Sequence, residues 1–332
     1  MADSIVVQSL KTGDSMIEWD SFVTASKQGS IFCRSWWLDT VCPNEYEIIL
    51  LKQSNRILAG MPIRKIRKFG FSIINLPPFT QTLGILFANH ISEKYEKNLS
   101  DEIDYTSLLI KALPKSSIYN IAFHFNFTNW LPFFWNGFNQ TTYYSYAFED
   151  LTDLNNVFLE FSHAKRKNIK KALGIISIQQ DISVEQFYNH HKMTLEQKGS
   201  KILYSYDLFK RIYENSYSNK SGKSFYAVDD LNNIHSIIFV IFDLHSAYFL
   251  ISSIDSNYRD SGSVSLLIKH AIEFVSDKSK KFDFEGSMDP SIEHSFRKFG
   301  AKPVPYFIIS KSNFFLNILQ TLYIQIKCKR FK

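Results

Sequence analysis

Asp283 and Glu285 stand two residues apart in Phe282-Asp283-Phe284-Glu285-Gly286-Ser287, where side-chain types and spacing could support proton chemistry. Side chains alternate faces along a strand, so the spacing predicts both phenylalanines on one face and both carboxylates on the other. A carboxylate at such a strand end can take a proton from an incoming ammonium. Ser287 and the N–H groups of the Gly-Ser loop can orient a hydroxyl or carbonyl. The same acids can instead pair with Arg297 or cap a helix. No Ser-His-Asp order or nucleophile elbow points to a covalent intermediate.

The elements that must position these acids are legible around them. Asp289 suits an N-cap, Pro290 the first helical turn and Gly300 a left-handed stop. Ile292, Phe296 and Phe299 recur at helical spacing, and an apolar strand, Tyr306 to Ile309, follows. An earlier stretch echoes this order. Phe123-His124-Phe125-Asn126 precedes a short helical stretch from Trp130 to Trp135, then Gly137, then a strand from Thr142 to Phe148. Upstream of each copy come two strands around a turn and a helix, the latter near Tyr105 to Leu113 and Ser263 to Val275. One α/β unit used twice is predicted, divided into residues 1–155 and 156–312, with a basic amphipathic tail at 313–332.

Other clusters could bind anions. A helix predicted over Val157 to Leu173 carries Lys165, Arg166, Lys167, Lys170 and Lys171. Arg166 and Lys170 lie one turn apart and can converge on a phosphate, although most such runs are solvated faces. Tyr204 and Tyr206 follow a Gly-Ser-Lys loop and can line a cleft or simply pack. His190 and His191 lack partners at metal-ligand spacing, so no metal is predicted.

The net charge of +6 favours anionic partners without requiring nucleic acid, and no DNA partner is expected. Cys33, Cys42 and Cys328 form neither a disulfide framework nor a zinc set. The first residues lack a secretion signal, and no run reaches the ~18 apolar residues of a membrane span. A cytoplasmic protein is the expectation. The tail, Phe314 to Lys332, combines apolar positions with Lys327, Lys329, Arg330 and Lys332, and can dock on its own domain or on the inner face of an anionic membrane.

Taken in order, Arg166-x-x-Ile169-x-x-Ala172, Phe187-Tyr188, Met193 to Gly199, Phe282 to Ser287 and Phe296 to Ala301 resemble the Fem-like branch of the GNAT acyltransferase superfamily. Trp19-x-x-Phe22, Gly29 to Phe32, Trp36-Trp37-Leu38 and Pro77 to Gln81 extend the resemblance over roughly residues 15–311. It implies an α/β chain of two tandem GNAT-like domains, each a mixed, mostly antiparallel sheet flanked by helices. It also implies an N-acyltransferase that joins an acyl or aminoacyl group to an amine of a cell-envelope glycan or peptide precursor, small or lipid-linked.

The donor would be a co-substrate, acyl-CoA or another thioester, or aminoacyl-tRNA, rather than a permanently bound cofactor. Residues 176–225 show no sustained heptads for the coiled-coil arm of some branching enzymes, which weakens the tRNA expectation. In acyl-CoA relatives the loop corresponding to Arg259, Gly262 and Ser263 holds pyrophosphate on helix N–H groups. Here Asp260 and Val264 depart from that pattern. The expected site is a cleft between the halves, with Asp283 and Glu285 at the amine, Arg297 supporting them, and Arg166 and Lys170 on acceptor phosphate. A non-catalytic module of the same fold, binding a nucleotide-sugar or a partner protein, is the alternative.

Overall fold

The first sheet grows from strands whose apolar residues recur at short intervals and whose turns suit tight hairpins. Ser54 and Asn55 both take positive φ (+48° and +64°), the geometry that matches the twist of a two-residue hairpin. The computed structural model describes residues 4–89, 92–286 and 288–312. In chain order the first elements are β1 (Val6–Lys11), α1 (Ile17–Ala25), α2 (Ser35–Val41), β2 (Tyr46–Gln53), β3 (Arg56–Lys68) and β4 (Phe71–Asn75). Then come β5 (Leu86–Phe87), α3 (Tyr95–Ala112), β6 (Ile118–Ala122), α4 (Leu131–Trp135) and β7 (Asn139–Phe148).

The second half contains α5 (Leu154–Leu159), α6 (His163–Leu173), β8 (Ser177–Gln180), α7 (Val184–Gln197), α8 (Tyr206–Ser218) and β9 (Gly222–Val228). It continues with β10 (Ile234–Phe242), β11 (Ser246–Ile254), α9 (Ser263–Val275), β12 (Lys281–Asp283), α10 (Pro290–Arg297) and β13 (Lys302–Ser312).

Among the described residues the chain forms two compact units, one within 4–142 together with 306–312, the other within 143–305. Their sheets repeat one pattern. In the first, β1 to β4 pair antiparallel in sequence order, β4 pairs parallel with β6, and β6 pairs antiparallel with β13. In the second, β8 to β11 pair antiparallel, β11 pairs parallel with β12, and β12 pairs antiparallel with β7.

The closing strand of each sheet therefore comes from the other sequence repeat. Phe148 pairs with Phe282 in the second unit, and Ile308 pairs with Ala122 in the first. Whereas the sequence places one division near residue 155, the compact units divide after residue 142, and the chain re-enters the first unit at 306.

Two helices differ from their sequence outlines. The first repeat's helix is longer, starting at Tyr95 rather than near Tyr105. The basic helix predicted over Val157 to Leu173 is broken into α5 and α6. Ser162 ends the continuity: its N–H donates to Lys298 O at 2.9 Å, and its side chain caps Lys165 N. Inside the second unit, Phe148, Phe161, Phe282, Phe284 and Phe299 pack with Leu266, Leu267 and Ile272 of α9 in one core. Among the described residues no helix is long and apolar enough to cross a membrane. The tail at 313–332 lies outside the described residues.

Candidate active site

Asp283 ends β12 with only 5% of its surface exposed. Parallel pairing places it in register with Tyr248, and antiparallel pairing with Ala147. Its Oδ1 accepts from the Ser145 hydroxyl of β7 and, at 2.6 Å, from the N–H of Glu285. The second bond is an Asx-type turn in which the side chain replaces the next strand pairing. It ends the strand before Glu285, which takes φ +59°.

The face-sharing expected from strand alternation therefore stops at Asp283. The two acids are brought together by a turn instead. Phe284 keeps one ladder bond, N–H to Tyr146 O at 2.9 Å, and its ring lies 4.9 Å from Phe296 and 5.4 Å from Phe299. Gly286 follows at φ +60°, where a Cβ would stand 2.2 Å from Tyr144 O. The turn rests directly on the β7 backbone.

Glu285 as a whole is half-buried, but its Oε1 is sealed and has no hydrogen-bond partner among the described residues. Burial, and next the charge of Asp283, push its carboxyl well above the usual range. Tyr248, opposite Asp283, is likewise held protonated by burial and by the negative charges of Asp243 and Asp283. The site is thus a proton-retaining carboxyl beside an acid fixed by two donors. Once ionised, such a carboxyl is a stronger base than an exposed one, and the neighbouring charge of Asp283 attracts a cation.

The other candidate residues lie in different settings. Arg297 bonds Glu293 Oε1 at 3.1 Å and His294 Nδ1 at 3.2 Å along α10, and Tyr146 OH also donates to Glu293 Oε1. Arg166 Nη1 donates to the carbonyls of Leu159 (3.0 Å) and Phe161, so it caps the end of α5. Lys170 is exposed on α6. Tyr204 and Tyr206 pack around Tyr188, whose hydroxyl donates to Tyr204 O at 3.1 Å, while Tyr204 OH lies 3.3 Å from His191 Nδ1. Burial, with Lys198 and His190 nearby, lowers His191 to about 4, leaving a neutral imidazole able to accept that bond. Ser287 lies outside the described residues.

At the loop before α9, Arg259 is exposed, whereas Gly262 and Ser263 are buried. Gly262 takes φ +80°, and a Cβ there would stand 2.3 Å from Asn168 O of α6. The Ser263 hydroxyl accepts from Ser236 at 2.8 Å. The first turn of α9 is therefore packed under α6.

Two contributors were not singled out from sequence. Ser145 meets Asp283 across the sheet from a position far away in the chain, with no local motif to mark it. Lys165 lay within the basic run, but its Nζ turns inward, 3.1 Å from Ser295 Oγ and 4.0 Å from the Phe299 ring centroid. Burial, and secondarily Lys298, lower its ammonium to about 8.

The fold thus holds Lys165 at a cost while it is charged. Between about 8 and the ordinary 10.5 the unfolded chain keeps a proton that the fold has released, so stability rises with pH there. Lys165→Met lacks this dependence. Its stability relative to wild type is expected to fall as pH rises from about 8 toward 10.5, read by urea unfolding. Parallel profiles would contradict the inward placement.

No family model matches the chain, and no curated protein matches it. Solved structures do. FemX superposes with a TM-score of 0.68 at 11% identity, over 90% of this chain and 96% of that one. A tandem GNAT protein from the clavulanic acid biosynthesis pathway, determined without AcCoA, gives 0.52 at 9%, over 92% and 98%. L-PGS from Bacillus licheniformis gives 0.54 at 9%, over 95% and 97%. The chain has the fold that FemX and the tandem GNAT protein share.

Proposed function

We propose that this protein is an N-acyltransferase that forms an amide on an amine of a cell-envelope glycan or peptide precursor, taking its acyl or aminoacyl group from a diffusible co-substrate. The observation that carries this reading is Glu285, a buried carboxyl with an oxygen that has no partner among the described residues, beside Asp283. The fold's likeness to FemX and to a tandem GNAT protein supports the class.

Amide formation needs a neutral amine. Glu285 keeps its proton at rest and first releases it to solvent, a step that the positive charge of an incoming ammonium favours. The carboxylate so formed then takes a proton from that ammonium, and desolvation on approach favours the same transfer. The free amine then attacks the donor carbonyl. The C–N bond forms as the C–S or C–O bond of the donor breaks, the leaving group takes up one of the two amine protons, and the other stays on the amide nitrogen. Asp283 fixes the turn and adds attraction for the cation. Ser287, Tyr204, Tyr206, Arg166, Lys170 and Arg297 remain proposed substrate contacts, and Arg259, Gly262 and Ser263 the proposed donor loop.

The test is a screen of acyl-CoA and aminoacyl-tRNA donors against amino-sugar nucleotides and muropeptides, with Asp283→Asn beside wild type. Product from wild type and a loss of roughly 10²-fold or more in Asp283→Asn are expected. Equal turnover by the variant removes the site.

The packing of Gly262 against Asn168, with Ser263 buried beside it, favours a second reading, a binding module without a donor site. Thermal shifts with acyl-CoA and with UDP-sugars separate the two. The module responds to one ligand class, the enzyme to both.

A further inference from the structure

The apex of the β3–β4 hairpin displays an apolar side chain where the fold gains least from one. Lys68 pairs with Phe71, which leaves Phe69 and Gly70 as a two-residue turn with φ +51° and +79°. Such a turn is best filled by Asn-Gly, because a side chain at positive φ is strained and a phenylalanine more so than an asparagine. Phe69 accepts that strain without packing in return, being 88% exposed, with the Lys68 ammonium 5.6 Å from its ring. Phe71 beside it is 41% exposed. Strand alternation sets Ile66, Lys68, Phe71 and Ile73 on one face, with Ile66 and Ile73 half-buried. Lys65, Arg67 and Lys68 are all exposed, and no acid occurs from Arg64 to Asn75.

We propose that this hairpin docks the protein on an anionic lipid surface. Phe69 and Phe71 enter the interfacial layer while Lys65, Arg67 and Lys68 engage headgroup phosphates. Charge identifies the occupant, since cations without an acidic partner among the described residues, set around apolar rings, match anionic headgroups above an acyl boundary. Single-stranded RNA would use the same chemical groups, but stacking platforms line a groove that tracks a backbone. Here the rings stand at a projecting apex. The inference is independent of the transfer chemistry, and its test reads no activity.

The full chain is sedimented with vesicles of mixed phosphatidylglycerol and phosphatidylcholine, and with phosphatidylcholine alone. Binding to the anionic vesicles only, weakening with salt, is expected. Phe69→Asn should lower that binding about tenfold or more without lowering the melting temperature, because Asn suits the turn. Replacing Lys65, Arg67 and Lys68 by Gln should weaken it by about fivefold per charge. Comparing Phe69→Trp with wild type isolates the emission of the apex indole, which should be blue-shifted on vesicles and quenched by brominated lipid. The chain cut after Ser312 should keep its dependence on Phe69.

Wild-type binding by Phe69→Asn overturns the proposal, as does quenching by brominated lipid that is no greater in Phe69→Trp than in wild type. So does complete loss of binding on removing residues 313–332 with the hairpin intact. Phe69-dependent binding of single-stranded RNA without vesicle binding reassigns the apex and equally overturns it.

Discussion

Glu285→Gln is expected to slow amide formation by roughly two to four orders of magnitude while making the protein more stable at neutral pH. Both effects come from one burial. Glu285 Oε1 has no partner among the described residues, and burial with the nearby Asp283 charge raises the carboxyl well above its ordinary 4.5. The fold therefore binds a proton that the unfolded chain releases once pH exceeds that ordinary value.

The sign follows from the proton count. Stability contributed by the protonated acid is fully present below the unfolded value and is lost as pH rises toward the folded one, by about 1.4 kcal/mol per pH unit for one whole proton. Glutamine releases no proton and so keeps what glutamate loses. The variant's advantage should be small near pH 4 and widen toward neutrality. Denaturant unfolding across that range, with turnover measured on the same samples, checks both halves. A variant that is slow but no more stable at neutral pH would show that the carboxyl is not held against its ionisation. One that is stabilised but fully active would show that the acid takes no proton in the reaction.

Gly286→Ala is expected to destabilise the second unit by about 2–4 kcal/mol, combining a left-handed conformation with overpacking. The added Cβ would stand 2.2 Å from Tyr144 O and 2.4 Å from Ser145 Cα, at φ +60°. β7 has little freedom to retreat there. Phe284 N–H holds Tyr146 O, while Phe148 and Ala147 pair with Phe282 and Asp283. The turn must lift, and the Ser145–Asp283 bond breaks with it.

Gly199 separates the two costs, since it takes φ +69° with nothing within 4 Å of its would-be Cβ. Gly199→Ala should cost only about 1 kcal/mol. Chemical denaturation of the two variants measures the difference, which is the penalty for contact with β7. Equal losses would mean that the Glu285–Gly286 turn is not seated on that strand.

Much of this architecture could be read from local chemistry. Asp289 caps Ser291 N and Ile292 N, Pro290 opens α10, and Gly300 sits at φ +85°, as the residue types demand. α9 begins at Ser263 and ends at Val275, where its apolar periodicity begins and ends. Resemblance then connected these pieces to a tandem GNAT-like fold.

The unread part lay in contacts that no local pattern encodes. Asp283 uses its own carboxylate to turn the chain, so alternation overran the strand by two residues. Periodicity ran through Ser162 because its cap competes with continued helix only when Lys298 O draws its N–H away. The direction of Lys165 depended on Phe299 and Ser295, both distant in sequence. Arg166 shows the converse, a cation that suggested a phosphate and serves the carbonyls of its neighbouring helix.

The swapped closing strands bear on how the molecule can be made. Ala122 awaits Ile308, so on a ribosome the earlier-synthesised unit stays open at one edge until almost all described residues have emerged. Meanwhile residues 143–148 wait for Phe282 and Asp283. Cutting the gene near codon 155 would yield two fragments, each carrying a strand meant for the other and each with an unsatisfied sheet border prone to self-association. Co-expression should rescue both, whereas either alone should aggregate.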